Sequence, residues 1–255
     1  MTIISEVGEI PFDKILSEGF TMTTSGTTGP QKEIYRSPQN LQYTIRDSIR
    51  AQELSKDSKI LQIARTDHAA LLVQSLAGYT LGAEVTLKKF NAFNFFEDFQ
   101  NKTHVFLAPA HMRALMQTKE FEKADFSGQR ILCGSEPLPW QLIEAFAEKG
   151  AIVQPDWGMC EIGPVVIYSV YNDVKSVRKD MVKYPNKFLL GDTFLCDYKI
   201  VDNVLWVKGD TCISDDWFCT DDIVEEIDSK LFFKGRVHKE GAKPFRLDYS
   251  KWKIE

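Results

Sequence analysis

The chain of 255 residues lacks the features that mark an exported, membrane-spanning or nucleic-acid-binding protein. Its five cysteines (Cys133, Cys160, Cys196, Cys212, Cys219) are odd in number and include no CxxC pair. Neither a disulfide framework nor a zinc site fits that set; reduced thiols in a cytosolic setting do. The N-terminal run MTIISEVGEIPFDK carries acids where a signal peptide carries a basic segment followed by an apolar one. The greasiest stretch, His68 to Leu87, is interrupted by Gln74, Tyr79 and Glu84, so no transmembrane span is expected. Positive charge is not in excess either. Lys and Arg total 31 against 36 Asp and Glu, a net charge of -5, which argues against nucleic acid or an anionic membrane as a partner. Internal repeats and low-complexity tracts are missing as well. What is present is 44% hydrophobic and 26% charged, enough apolar surface to offset chain entropy in a folded, cytoplasmic protein.

From Ser37 to about residue 170, helical and strand patterns alternate. Ser37 caps a helix with Pro38 in its first turn, and Leu41, Ile45 and Ile49 recur on one face. Lys59–Ala64, Ala83–Leu87, His104–Ala108, Arg130–Cys133 and Ala151–Gln154 read as strands. Helices are expected after Asp67, from Pro109 to Met116 and from Leu138 to Lys149. This alternation predicts an α/β fold: a mixed, mostly parallel sheet flanked by helices. After Tyr171 the reading changes to short strands with close turns, Asp202-Asn203 among them, predicting a smaller antiparallel, barrel-like β subdomain. The boundary is expected near 175, giving units 1–175 and 176–255.

The strongest local signal is Thr23-Thr24-Ser25-Gly26-Thr27-Thr28-Gly29-Pro30-Gln31-Lys32. Glycines let backbone N–H groups turn inward, hydroxyls donate hydrogen bonds, and a lysine adds a point charge, a combination suited to polyphosphate. The GxxxxGK[ST] spacing is not met, so this is no Walker A loop, and a polar surface loop is the plain alternative.

The loop resembles the phosphate loop TSGTTGxPKG of the adenylate-forming superfamily: acyl-CoA synthetases, peptide-synthetase adenylation domains and firefly-type luciferases. Further segments follow in that family's order. Cys133-Gly134-Ser135-Glu136-Pro137-Leu138-Pro139 is similar to its adenine-binding stretch, and Asp156-Trp157-Gly158-Met159-Cys160-Glu161 to YGxTE. Trp217-Phe218-Cys219-Thr220-Asp221-Asp222 is similar to W[FY]xTGD, and Phe233-Lys234-Gly235-Arg236-Val237-His238 to the GRxDD hinge. The resemblance runs from about residue 20 to 240. It implies that Ser25, Gly26, Thr27, Thr28, Gly29 and Lys32 embrace the β- and γ-phosphates of ATP. Gly134, Ser135 and Glu136 would line the adenine with Asp156, Trp157 and Gly158, and Cys160 would lie near the α-phosphate. Glu161 would hold Mg²⁺, with Lys32 its catalytic companion, and Asp222 would accept from the ribose hydroxyls beside Arg236. His68, Ala108, Cys133 and Met159, with Thr66 and Ala110, would surround the acyl group. Each has a plainer reading: Trp157 as a core aromatic, His68 as a helix-start residue, Asp222 as part of a solvated turn, Glu136 as a capping acid. A cysteine nucleophile at Cys160 is not expected, because the elbow spacing is wrong and no His–Asn partner pattern accompanies it.

The chain departs from the pattern at Gln31, Glu33, Cys160, Asp221 and His238, where the family has proline, glycine, threonine, glycine and aspartate. Little precedes the loop, and the chain stops at Glu255 without a PxxxxGK-like segment. The expectation is therefore a chain short at both ends, without the lysine-bearing lid domain. The activity the resemblance implies is the adenylation half-reaction, carboxylate plus ATP to acyl-adenylate plus pyrophosphate. Its partners would be a small carboxylic acid and a second chain or carrier protein that supplies a lid or a thiol; coenzyme A finds no support in so short a chain. The alternative is a nucleotide-binding module without turnover.

Overall fold

The computed structural model describes residues 2–23, 32–63, 69, 72 and 74–237. Its larger sheet has eight strands: β1 (Thr2–Ser5), β4 (Lys59–Gln62), β5 (Glu84–Leu87), β6 (His104–Leu107), β7 (Arg130–Cys133), β8 (Ile152–Met159), β9 (Gly163–Tyr168) and β11 (Thr193–Phe194). Their spatial order is β1-β5-β4-β6-β7-β8-β9-β11. Neighbours are parallel from β1 to β8, and β9 and β11 add an antiparallel edge. The mixed, mostly parallel sheet expected from the sequence is thus present. β6 and β7 are buried at every position, as strands covered on both faces must be.

The helices on this sheet start where local chemistry allows. In α2 (Pro38–Gln52) the Ser37 hydroxyl accepts from the Asn40 N–H at 3.2 Å, proline opens the first turn, and Leu41 and Ile45 face the core. Pro109 opens α5 (Pro109–Met116) as its position predicts. The next long helix, α7 (Trp140–Glu148), begins two residues after the expected Leu138, because a residue before proline is pushed out of the helical region and Pro139 follows it. Glu136 does not cap α7; it faces Arg113 at 3.6 Å. The remaining helices are α1 (Phe12–Glu18), α3 (Ser75–Leu81), α4 (Phe95–Phe99), α6 (Lys119–Glu122) and α8 (Val174–Lys183).

The second sheet is antiparallel, in the order β10 (Phe188–Gly191), β15 (Lys230–Arg236), β14 (Phe218–Ile227), β13 (Val204–Lys208), β12 (Asp197–Val201). Asp202 and Asn203, at φ 51° and 64°, make the tight turn between β12 and β13 that the sequence announces. Two features depart from the expected pattern. β8 does not end at Gln154 but continues to Met159, leaving the parallel sheet to pair antiparallel with β9. And α8 stands where only strands were expected; Asp173 caps it through the Ser176 N–H at 2.8 Å, yet it buries only Val177, too thin a stripe to show in the sequence. A separate ribbon, β2 (Phe20–Thr23) against β3 (Glu33–Arg36), pairs Thr23 with Glu33 and so brings together the two ends of the loop between them.

Candidate functional site

Strand order reverses between β4 and β6: the chain steps one way from β4 to β5 and the other way through β6, β7 and β8. In open α/β sheets the crevice beyond the carboxyl ends of the strands at such a switch point is where ligands sit. Ala108 directly follows β6, Cys133 ends β7, Gly134, Ser135 and Glu136 follow it, and Asp156 lies in the distal half of β8. Segments separated in sequence therefore share one edge of the sheet. Ser25, Gly26, Thr27, Thr28, Gly29, Thr66, His68 and His238 lie outside the described residues. Lys32 is exposed immediately ahead of β3. Glu33 and Tyr35 occupy the solvent face of β3, with Ile34 and Arg36 on the buried one, so the Glu33 carboxylate is turned to water.

The ends of β7 and β8 approach too closely for a side chain at position 134. A Cβ on Gly134 would lie 2.5 Å from the Asp156 carbonyl oxygen and 3.1 Å from its Oδ1. That Oδ1 is buried with no hydrogen-bond partner, and burial holds the Asp156 carboxyl well above the ordinary carboxylate range. Next along the loop, Ser135 sits at φ 74°, a left-handed conformation uncommon outside glycine. An orphaned polar atom beside a strained loop is an arrangement that a polar ligand resolves. Cys133, buried beside Asp156, has its thiol pushed up by burial and is an inert wall.

On the far side of β8, Trp157 Nε1 donates to Asp222 Oδ2 at 2.9 Å, and Arg236 Nε donates to Asp222 Oδ1 at 2.5 Å. Asp222 is 1% exposed, so it belongs to no solvated turn. Burial raises its carboxyl, while Arg236 and the indole pull it back. Trp157 packs with Ile162, Val166, Leu205 and Val224 and is 9% exposed: its environment here is a core. Asp221 takes φ 60°, a conformation aspartate tolerates better than most residues and the reason it can stand at a glycine's place. Gly158 is also required by packing, since a Cβ there would lie 2.3 Å from the Gly163 carbonyl oxygen. Met159 closes β8, half-buried against the same cluster.

Beyond Met159 the chain turns through Cys160 and Glu161. The Cys160 thiol is raised to about 11, first by burial and then by Glu161, against the pull of Arg36. It is therefore un-ionised at neutral pH and no nucleophile. Among the described residues no trio of His, Cys, Asp or Glu could hold a metal ion. A lone Glu161 carboxylate fits a cation that shares its coordination with phosphate oxygens, as Mg²⁺ does.

A family model described as AMP-binding enzyme matches residues 19–214. The chain belongs to the AMP-binding enzyme family. Among curated relatives it is 31% identical over 150 residues to indoleacetate–CoA ligase of Aromatoleum aromaticum, covering 57% of this chain and 29% of that one. It is 28% identical over 221 residues to 2-succinylbenzoate–CoA ligase of Staphylococcus aureus, covering 80% of this chain and 44% of the relative. The chain thus spans less than half the length of either relative. Among solved structures, the N-terminal domain of FACL13 from Mycobacterium tuberculosis superposes with a TM-score of 0.73 at 19% identity, over 86% of this chain and 60% of that one. MenE from E. coli gives 0.66 at 18% identity, over 85% and 47%. The fold is that of the N-terminal domain of adenylate-forming enzymes. No described helix is long and apolar enough to cross a membrane.

Two polar residues are buried where the sequence does not announce it, Arg36 on β3 and Thr211. The alternation Glu33-Ile34-Tyr35-Arg36 does place Arg36 on the buried face of β3, but charge hides the signal. Nothing local in the sequence marks Thr211.

Proposed function

We propose that this chain carries the adenylation chemistry of an AMP-forming acid ligase: a carboxylate attacks the α-phosphorus of ATP, pyrophosphate leaves, and an acyl-adenylate forms. The supporting observation is convergence. Three segments of the resemblance, around residues 157, 222 and 236, meet in one buried hydrogen-bonded knot, across β8 from the orphaned Asp156 oxygen. In this reading the adenine lies along Gly134–Glu136 and β8, and Asp222 meets the ribose. The loop Ser25–Gly29 and Lys32 holds the phosphates. Bound at Glu161, Mg²⁺ would supply charge neutralisation at those phosphates. The protein's own work is orientation of the carboxylate in line with the α-phosphorus and exclusion of water, with little covalent assistance. Ala108, Cys133, Met159 and His68 offer mostly small or apolar walls to the acid. The relatives' names contain indoleacetate and 2-succinylbenzoate, both acids that carry an aromatic ring, so ring-bearing carboxylic acids head the substrate panel. A partner or carrier chain would supply a lid domain or the thiol acceptor. Units 1–175 and 176–255 divide this work between nucleotide binding and the ribose and hinge contacts.

A binding module without turnover is the second reading, and one observation favours it: both Asp222 oxygens are already engaged within the protein. A thermal-unfolding titration with Mg²⁺·ATP and with AMP tests the shared part. A ligand at about 100 times its Kd adds about 2.7 kcal/mol, a shift of several degrees at this size, and Asp222→Asn is expected to shrink it. No shift with either nucleotide removes both readings. Pyrophosphate release with ring-bearing acids then separates them. Release no greater than that of a Lys32→Ala, Glu161→Gln control leaves only the binding module.

A further inference from the structure

We infer that Arg36 is a positioning residue that locks the Glu161 turn to the strand emerging from the phosphate loop; the inference rests on the nucleotide reading above. Arg36 is wholly buried, an expensive place for a guanidinium, and no carboxylate among the described residues lies within ion-pair distance of it. Burial lowers its pKa to about 10, so it remains cationic at neutral pH. Its hydrogen bonds go to uncharged groups instead. Nη1 donates to the Cys160 carbonyl at 2.8 Å; Nη2 donates to the Thr211 carbonyl and, at 3.1 Å, to the Thr44 hydroxyl of α2.

The neighbouring carbonyls are held as well. The Glu161 carbonyl accepts from the Ile213 N–H at 2.9 Å, and the Ile162 carbonyl accepts from the Thr211 hydroxyl at 2.7 Å. Three successive carbonyls, at 160, 161 and 162, are thus each pinned by a group from outside the β8–β9 hairpin. Arg36 joins both sides of that clamp, since it also holds Thr211. Buried carbonyls need partners in any turn, but a buried charge is a costly way to provide one. The arrangement fixes the backbone under Glu161 relative to the end of β3, where Arg36 lies four residues after Lys32. It therefore sets the spacing between the carboxylate and the lysine that the nucleotide reading assigns to the ion and to the phosphates. The guanidinium charge also lies close enough to Glu161 and Cys160 to interact with both electrostatically. Residues that orient a ligand to a metal typically change metal affinity or activity by about 10- to 100-fold when removed.

The test compares wild type with Arg36→Met, Arg36→Lys and Thr211→Val in thermal-unfolding titrations with Mg²⁺·ATP, with ATP plus a chelator and with AMP. AMP touches neither Lys32 nor a Glu161-bound ion, so it reports general damage to the site. Arg36→Met is expected to weaken Mg²⁺·ATP at least about tenfold while AMP stays within about threefold, and Arg36→Lys to recover part of the loss. Thr211→Val keeps the charge and removes one tether of the same turn, so it is expected to act in the same direction; it also decides the matter should Arg36→Met not fold. Equal weakening of AMP and Mg²⁺·ATP, or no change in either, overturns the inference while leaving the nucleotide site standing. A wild type that responds to no nucleotide overturns the inference together with the function it rests on.

Discussion

His104 opens β6 and His111 sits in the first turn of α5, and both are held below the usual histidine range by burial. His104 Nε2 lies 3.0 Å from the Gln52 carbonyl, and Arg130 nearby adds a further disfavour of charge. His111 Nδ1 accepts from the Ala108 N–H at 3.2 Å, so the neutral ring caps the start of α5, and protonation at that nitrogen ends the cap. The unfolded chain binds these protons near pH 6.5, whereas the folded chain binds them only at lower pH. Proton uptake then favours the unfolded state. This contribution to stability is complete above about pH 7, falls as pH drops through 6.5, and levels off below the folded values. Urea unfolding at pH 7.5 and 5.5 measures it. The loss per group is bounded by about 1.4 kcal/mol per pH unit, and His104→Gln with His111→Gln is expected to flatten the profile. A profile as steep in the double variant as in wild type would assign the acid sensitivity to other groups.

At the scale of elements, the site depends on how closely β7 and β8 converge at their ends. Gly134→Ala places a methyl group 2.5 Å from a backbone carbonyl that cannot rotate away. The strands must separate, at a cost of about 1–3 kcal/mol, and nucleotide binding is expected to be lost with the geometry. Urea unfolding beside a Mg²⁺·ATP titration checks both; a variant of wild-type stability that still binds would show the loop to be more pliant than the glycine implies. The same elements show what the sequence reveals. β6 and β7 and helices α2 and α5 were legible because an apolar run or a capped four-residue stripe is set locally. The motif around Asp156–Glu161 was legible as chemistry but not as shape. That β8 runs on past Gln154 to pair antiparallel with β9 depends on β9 itself, which no expected strand anticipated. α8 was missed because only Val177 is fully buried. Arg36 was missed for a related reason: its partners at 160 and 211 lie far along the chain, and a charged residue gives no hint that it will be buried.

At the scale of the whole molecule, the two sheets share a core rather than owning one each. The phenylalanine cluster on the parallel sheet, where Phe126 and Phe146 stack at 5.7 Å, continues through Tyr184 to Leu189 of β10 and Phe232 of β15. Tyr184 meets Phe232 with ring centroids 4.9 Å apart, and the Trp140 indole N–H donates to the Tyr184 carbonyl at 3.0 Å, tying α7 to the same seam. The chain itself crosses back: β10 enters the antiparallel sheet, and β11, two residues later, rejoins the parallel one. A β-rich unit built this way buries its apolar face only against the first. Phe232→Ala, at a fully buried position, is expected to cost about 3–5 kcal/mol. It should also lower the stability of the entire chain rather than release one part. Tryptophan fluorescence reports on both regions, since Trp140 lies in the first and Trp206 in the second, and far-UV circular dichroism reports on the helices, which among the described residues all precede β10. Their denaturation curves are expected to coincide in wild type and to shift together in the variant. Separate transitions, with only the fluorescence curve displaced by Phe232→Ala, would mean that the shared seam does not couple the sheets and that 176–255 behaves as an independent unit.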